Sequence, residues 1–455
     1  MKTSATPRWW WMAWVSRTRR RRACWAGAAP IPWRPRCGMR VVWISRCCGH
    51  CIAARLQVPD TETGMLEPAA RARAIAPFQV MRILERAQAL EAAGRDIIHL
   101  EVGEPRFPMP EPLLEAAHRA LAGASMGYTP SPGLPALRRA IADHYGHRYA
   151  IDLDPARVIV TPGGSGALQL ALAAVLERGD GVMVTEPGYP CHRHIAAITG
   201  AQVHALALDA GDGWCASATA LAAQWRPGTR ALMLTTPGNP TGAVIGPASL
   251  GALYAAVRER MAALIVDETY QGLVYDAADI TALACGDDGI FVVNSFSKYF
   301  GLTGWRVGWL VVPPGWSGVA ERLAQNLYLA APTLGQHVAL AALQPAALTV
   351  FEQRREALRQ RRDFLRQALP PAGFALPAVP EGAFYLFTAL PAGATDALAF
   401  AEAALAGAGV AVTPGSDFGA GAGANMLRFA YTEPMARLQT AVSRLRDFLA
   451  ERAGS

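Results

Sequence analysis

From Pro77 onward the apolar positions fall into regular patterns. In residues 77–93, Val80, Met81, Leu84, Ala87 and Leu90 share one face at helical spacing, and Gly94 ends the helix. Residues 97–102 are predicted to form a strand that runs into Gly103-Glu104-Pro105, and helical spacing recurs over about 111–122 and 134–147. A series of short apolar runs follows, at 158–161, 182–185, 231–235, 264–266, 291–293 and 307–312. Helical stretches separate several of them, notably 167–177 and 250–262. Short strands that are apolar on both faces and alternate with helices predict an α/β fold: a mostly parallel central sheet with helices on both faces. Residues 334–369 read as one long or broken helix. After Pro370-Pro371, short strands at 383–387, 410–412 and 427–430 with helices between them predict a smaller α+β domain. The expected division is an N-terminal extension at 1–64 outside the fold, an arm and part of the small domain at 65–110, a large domain at 111–350, and a C-terminal small domain at 351–455. No internal repeat and no membrane-spanning segment is evident.

Composition changes this picture mainly at the N-terminus. Of the 455 residues, 52% are apolar and 17% charged, so a large core is available and wholesale disorder is excluded. The formal charge of +7 resides at the front: residues 1–60 hold twelve basic side chains and one acidic one, the rest 31 basic and 35 acidic. The body therefore offers no basic surface for nucleic acid. Five of eight cysteines (Cys24, Cys37, Cys47, Cys48 and Cys51) precede residue 52, leaving three scattered ones in the body. That fits a reducing, cytoplasmic compartment with no disulfide framework. The apolar run at 9–15 is too short to span a bilayer, and the arginine cluster after it is in the wrong order for a signal peptide. Cys47-Cys48-Gly49-His50-Cys51 has half the ligands of a metal knuckle with no second cluster at zinc spacing, so no metal is assigned. The arginine run offers a polyanion site. The plain expectation is upstream sequence translated from a misplaced start, with Met65 the real beginning.

Lysine usage is more telling. Among 43 basic residues only Lys2 and Lys298 are lysines. A chain that uses arginine almost everywhere and keeps one lysine in its body needs an amine there, because a guanidinium cannot lose its proton to become a nucleophile.

In open α/β sheets, ligands bind beyond the carboxyl ends of the strands. The first such end carries Gly163-Gly164-Ser165 at a helix start, an anion cradle of free N–H groups and a hydroxyl. The next three carry Asn239, then Asp267 with Tyr270, then Ser295, Ser297 and Lys298, with Arg306 eight residues on. Taken singly, these have plain readings: a tight turn, a capping acid, a surface arginine. The glycine loop is neither a Walker loop nor a full dinucleotide fingerprint. Together they match the groups of pyridoxal 5′-phosphate: a phosphate for the cradle and Arg306, a ring cation for Asp267, a ring oxygen for Asn239 and Tyr270, and an aldehyde for Lys298.

On PGNPTG (237–242), VDETY (266–270) and SFSK…GWRVG (295–308), the chain resembles the class I/II aminotransferases, the aspartate aminotransferase-like branch of fold type I pyridoxal-phosphate enzymes. The likeness covers essentially all of residues 68–452. It implies a homodimer with shared active sites, in which Tyr128 reaches a phosphate in the neighbouring subunit. It implies that Tyr189 stacks on the cofactor ring, that His192 backs the aspartate, and that Gly103 and Arg428, with Asn239, bind the substrate α-carboxylate. It suggests cis peptides at Glu186-Pro187 and Asn239-Pro240. The reaction so implied moves an amino group from an L-amino acid to a 2-oxo acid through a Schiff base on Lys298 and pyridoxamine phosphate. Lys298, Asp267 and Tyr270 are its catalytic residues. The same machinery serves carbon–sulfur β-lyases, which stand as the alternative. A transcription regulator with an aminotransferase-like domain lacks its helix-turn-helix in residues 1–60. Tyr189, Tyr128, Phe107 and Tyr328 are aromatic candidates for the substrate pocket, but no residue is assigned to a distal carboxylate.

Overall fold

The computed structural model describes residues 66–123 and 125–453. The expectations for residues 1–64 lie outside the described residues. Seven strands form the main sheet, in the order Val158–Thr161, Gly308–Val311, Ile290–Ser295, Ala263–Asp267, Thr229–Thr235, Gly181–Glu186, Gln202–Ala207. Gly308–Val311 is antiparallel to both neighbours and every other pairing is parallel. The carboxyl ends of Val158–Thr161, Thr229–Thr235, Ala263–Asp267 and Ile290–Ser295 thus share one edge.

The inner strands are mainly apolar because both faces are covered. Leu264 and Val266 join one core cluster, while Ile265 between them joins the other. Helix Gly163–Val175 covers the second face with Ala167, Leu168, Leu170 and Ala171. Burial of this kind contributes about 25 cal/mol per Å² of apolar surface removed from water.

The smaller sheet is antiparallel, in the order Thr413–Pro414, Met426–Ala430, Tyr385–Ala389. The strand expected at 97–102 is only Ile98–His99, paired in parallel with Val410–Ala411. The chain then turns away, and Glu101 to Gly103 border a cleft. The stretch 334–369 is broken into Thr333–Ala342 and Pro345–Ala368, bent by 78°. The break falls just before Pro345, whose ring cannot continue a preceding helix. Four elements were not among those expected from sequence. Edge strand Gln202–Ala207 is mostly part-exposed and presents no apolar run. Helices Pro190–Thr199, Ala218–Gln224 and Ser317–Leu327 are short, with three, one and two buried positions. Glu186-Pro187 and Asn239-Pro240 are cis, as is Thr236-Pro237. Among the described residues no single helix is long and apolar enough to cross a membrane.

Candidate active site

The strand ends and the small sheet border one cleft of about 440 Å³. Its lining includes Gly103, Gly164, Ser165, Tyr189, Asn239, Asp267, Tyr270, Ser295, Ser297, Lys298, Arg306 and Arg428. A larger groove of about 1050 Å³ runs between helices Pro135–Tyr149 and Pro345–Ala368. It is bordered by Asp143, His144, His147, Glu352 and Glu356 and has no lysine or arginine in its lining, so the smaller cleft is the one with convergent chemistry.

At the cradle end, Gly163 starts its helix at φ +72°, a backbone shape that suits glycine. A Cβ there would lie 2.6 Å from Nη2 of Arg306, so the guanidinium packs directly on the loop. Arg306 Nη1 donates to the Thr303 carbonyl at 3.0 Å, and the rest of its fork is free for an anion. Ser295 and Ser297 stand beside it, with their hydroxyls 2.9 Å apart.

In the middle, Asp267 is buried at the end of its strand. Its Oδ2 is 2.9 Å from His192 Nε2, and its Oδ1 accepts from the Thr269 amide at 3.0 Å. Lys298 Nζ donates to the Gly103 carbonyl at 2.6 Å and lies 5.8 Å from the centre of the Tyr270 ring. Burial first, then the Arg428 and Arg306 charges, bring the Lys298 pKa down from 10.5 to about 8, against the pull of Glu104 and Asp267. The Tyr270 and Tyr385 hydroxyls are 2.8 Å apart. Burial raises both phenol pKa values, so both keep their protons at neutral pH.

At the other end, Arg428 extends from the central strand of the small sheet and is buried. Nη1 donates to Asn239 Oδ1 at 2.8 Å; Nη2 donates to the Glu101 carbonyl and to Thr413 Oγ1 at 3.1 Å. Its Cζ stacks 4.3 Å from the Tyr385 ring centre.

The aminotransferase class I and II family model matches residues 95–445. The chain belongs to this family. It is 35% identical over 376 residues to the valine–pyruvate aminotransferase of Mycobacterium tuberculosis, covering 82% of this chain and 97% of that one. Among solved structures, an aminotransferase from Mycobacterium tuberculosis superposes with a TM-score of 0.81 at 34% identity, covering 85% of this chain and all (100%) of that one. Thermus thermophilus aspartate aminotransferase superposes with a TM-score of 0.80 at 32% identity, covering 84% and 100%. The protein is an aminotransferase, and the α/β fold with its smaller domain is that of its aspartate aminotransferase-like neighbours.

Within this aminotransferase the residues expected from sequence lie in or against the cleft, except Phe107, Tyr328 and Tyr128, the last of which is 86% exposed. Gly163 and His192 stand just behind the lining, one against Arg306 and the other against Asp267. Phe107 and Tyr328 are not in the cleft. Phe107 lies under the guanidinium groups of Arg354 and Arg361, at 5.2 and 4.9 Å.

Sequence reasoning missed Tyr385. It sits in an apolar strand and reads as core, yet its hydroxyl touches Tyr270, and a Cβ on Gly103 would lie 1.8 Å from it. Gly103 is therefore a close-approach glycine. Thr269 was also missed, though it lies inside the VDETY motif: its Oγ1 would be 3.3 Å from a Cβ on Gly164. Val80, Met81 and Leu84, which border the cleft with Phe78, were read only as a helix face.

Proposed function

We propose that this aminotransferase carries pyridoxal 5′-phosphate on Lys298 and passes an amino group from an L-amino acid to a 2-oxo acid. One observation carries the reading: the body's only lysine opens into a cleft that also holds Asp267, Arg306 and Arg428. The donor set fits the cofactor, with a glycine cradle closed by a guanidinium at one end, a buried carboxylate in the middle and a reactive amine beside it. When bound, the cofactor supplies an aldehyde that condenses with amines and a ring that takes up the charge left by a departing Cα proton.

The chain's residues supply the rest. Gly163, Gly164, Ser165, Ser295, Ser297 and Arg306 hold the phosphate, through helix-start amides, hydroxyls and a guanidinium. Tyr189 flanks the ring. Asp267, oriented by His192 and the Thr269 amide, favours a proton on the ring nitrogen. Tyr270, with Asn239, offers hydrogen bonds to the ring oxygen. Arg428 and Asn239 hold the substrate carboxylate beside Gly103, which fixes the direction of the Cα–H bond. Lys298 Nζ, its proton affinity lowered by burial, takes that proton and returns one.

Two copies of the chain complete the site in this reading. Tyr128 is 86% exposed, and Leu121 (60%) and Met126 (44%), close to it in sequence, are exposed too; a second subunit would cover them, and Tyr128 would reach the partner's phosphate. The domain division at 110 and 350 is proposed with it; the pairing of Ile98–His99 with Val410–Ala411 supports joining 65–110 to the C-terminal domain. Cys191, Cys215 and Cys285 are free thiols, which supports a cytoplasmic location.

Borohydride reduction of the holoenzyme followed by peptide mass spectrometry tests the reading. A pyridoxyl group on the peptide containing Lys298 is expected. Labelling elsewhere, or none, refutes it.

A further inference from the structure

We infer that His99 is a positioning residue for the substrate carboxylate: paired with the Glu101 side chain beside the cleft, it fixes the backbone carbonyl that aims Arg428. The inference rests on the reading that Arg428 holds that carboxylate. Both residues are buried within one chain, His99 at 5% and Glu101 at 0% exposure, so the arrangement is complete before a second copy joins it.

His99 stands between two carboxylates. Its Nδ1 is 2.7 Å from Glu101 Oε1, and its Nε2 is 3.0 Å from Glu91 Oε1. A charged imidazole donates from both nitrogens, one to each carboxylate. The bond to Glu101 is the main influence on His99 and raises its pKa, against burial; the bond to Glu91 adds to it and the Arg106 charge opposes it. Glu101 Oε2 is buried with no partner among the described residues, so the bond to His99 is the one that anchors this side chain. The carbonyl of the same residue accepts from Arg428 Nη2 and from Thr413 Oγ1, the latter at 2.8 Å. Two residues on, the Gly103 carbonyl accepts from Lys298 Nζ at 2.6 Å. The segment 101–103 therefore holds two of the cleft's cations by main-chain oxygens.

Upstream, this segment is pinned by the pairing of Ile98–His99 with Val410–Ala411. The Leu100 amide donates to the Ala411 carbonyl at 2.9 Å, and the Ala430 amide to the Leu100 carbonyl at 2.7 Å. The ladder ends there, and the His99–Glu101 bond and Thr413 take over from it. Stability alone is a weak reason to keep a buried ion pair, since hydrocarbon side chains of similar volume serve a fold as well or better. A short charge-assisted bond does fix an atom in place. Displacing a positioning group by about 1 Å can cost roughly 10²-fold.

The test titrates the holoenzyme, at one pH, with glycine and with methylamine, which differ only by the carboxylate. Both are too small for side-chain preference to matter, and the change in the cofactor spectrum gives an apparent Kd for each. His99→Leu, which keeps bulk and removes both donors, should weaken glycine relative to methylamine by at least about tenfold. His99→Asn, which keeps a donor near the Nδ1 position, should recover most of that loss. In Arg428→Gln, adding His99→Leu should change the ratio by less than about twofold, because the two act through one contact. An unchanged ratio in folded His99→Leu, both probes weakened alike, no recovery in His99→Asn, or full additivity with Arg428→Gln would each overturn the inference. Should His99→Leu not fold, Glu101→Gln keeps the shape, weakens the charge-assisted bond and should lower the ratio by at least about threefold; an unchanged ratio there overturns the inference equally. Arg428→Gln alone separates the two readings. If it leaves the ratio unchanged, the carboxylate role of Arg428 fails and the inference falls with it. A fall in Arg428→Gln without one in His99→Leu overturns the inference alone.

Discussion

The sharpest prediction concerns Lys298 in the apoenzyme. Burial and the Arg428 guanidinium lower its pKa from 10.5 to about 8. At pH 7 about one chain in eleven would then hold the neutral amine, against roughly one in three thousand for an ordinary lysine. The amine opens onto the cleft, so water screens it, and the cost of charging it in the fold is at most about 3 kcal/mol. The sign for stability follows. The folded pKa lies below the unfolded one, so the unfolded chain binds more protons between about pH 8 and pH 10.5. Apoenzyme stability should therefore rise with pH across that window, and Lys298→Met should lack the rise. The assay is direct because the chain has only two lysines, Lys2 and Lys298. Reductive methylation with ¹³C-formaldehyde labels these and the amino terminus, and the Lys298 resonance is the one missing in Lys298→Met. Its NMR titration should have a midpoint near 8, moving upward in Arg428→Gln. A midpoint at or above 10, or identical stability profiles for wild type and Lys298→Met, would refute the reasoning.

Asp267→Ala should slow Cα proton transfer by roughly 10²–10⁴-fold, while cofactor affinity, measured by fluorescence titration, changes by less than about tenfold; an unchanged rate would mean that the carboxylate does not act on the ring nitrogen. Arg428→Ala should raise the KM for amino acids by roughly 30- to 700-fold, the loss of about 2–4 kcal/mol from paired charge-assisted bonds, with a much smaller effect on Tm; a change confined to Tm would give Arg428 a purely structural role. Burial lifts the Glu268 pKa from 4.5 to about 8. The stability this lends is complete below pH 4.5 and lost as pH rises through about 8, so Glu268→Gln should gain about 1–3 kcal/mol on the wild type between pH 5 and pH 8.5 in urea denaturation; equal differences at both pH values would refute it. Tyr128→Phe should weaken cofactor binding in a dimer seen by sedimentation; a monomeric enzyme of full activity would refute the shared site.

The residues that bear charge were the legible part of the site. Lys298 and Asp267 are unusual or costly where they stand, at or just beyond the ends of apolar strands, and that makes them visible in sequence; Arg428, in the middle of strand Met426–Ala430, was expected only from the family resemblance. The parallel sheet was legible for the same reason: Ile265 and Val266 face opposite sides yet are both buried, so the run is apolar throughout. Residues that act through shape were not legible. Tyr385 has the pattern of a core strand, and its role depends on Tyr270, 115 residues away, and on Gly103, which is further away still. The wall of Val80, Met81 and Leu84 follows helical spacing, which reports which positions share a face but not what that face meets. Gln202–Ala207 escaped because an edge strand half open to water carries little of the apolar signal.

The charges of the cleft carry the functional argument further than the motifs do. Three arginines are buried among the described residues: Arg157, Arg362 and Arg428. Arg157 meets the Asp287 carboxylate at 2.6 Å, and Arg362 meets Asp276 at 2.7 Å and Asp363 at 2.6 Å. Arg428 has only neutral partners, an amide, a carbonyl and a hydroxyl, and its Nε has none. A buried cation without an anion is among the more expensive features a fold can keep. The Lys298 amine differs: it donates to the Gly103 carbonyl, and the Glu104 and Asp267 carboxylates are near enough to raise its pKa. Had Arg428 served the fold alone, a carboxylate within the chain would pair with it, as at Arg157 and Arg362. A guanidinium held by neutral groups at the cleft suits an incoming carboxylate, which is the role proposed for it.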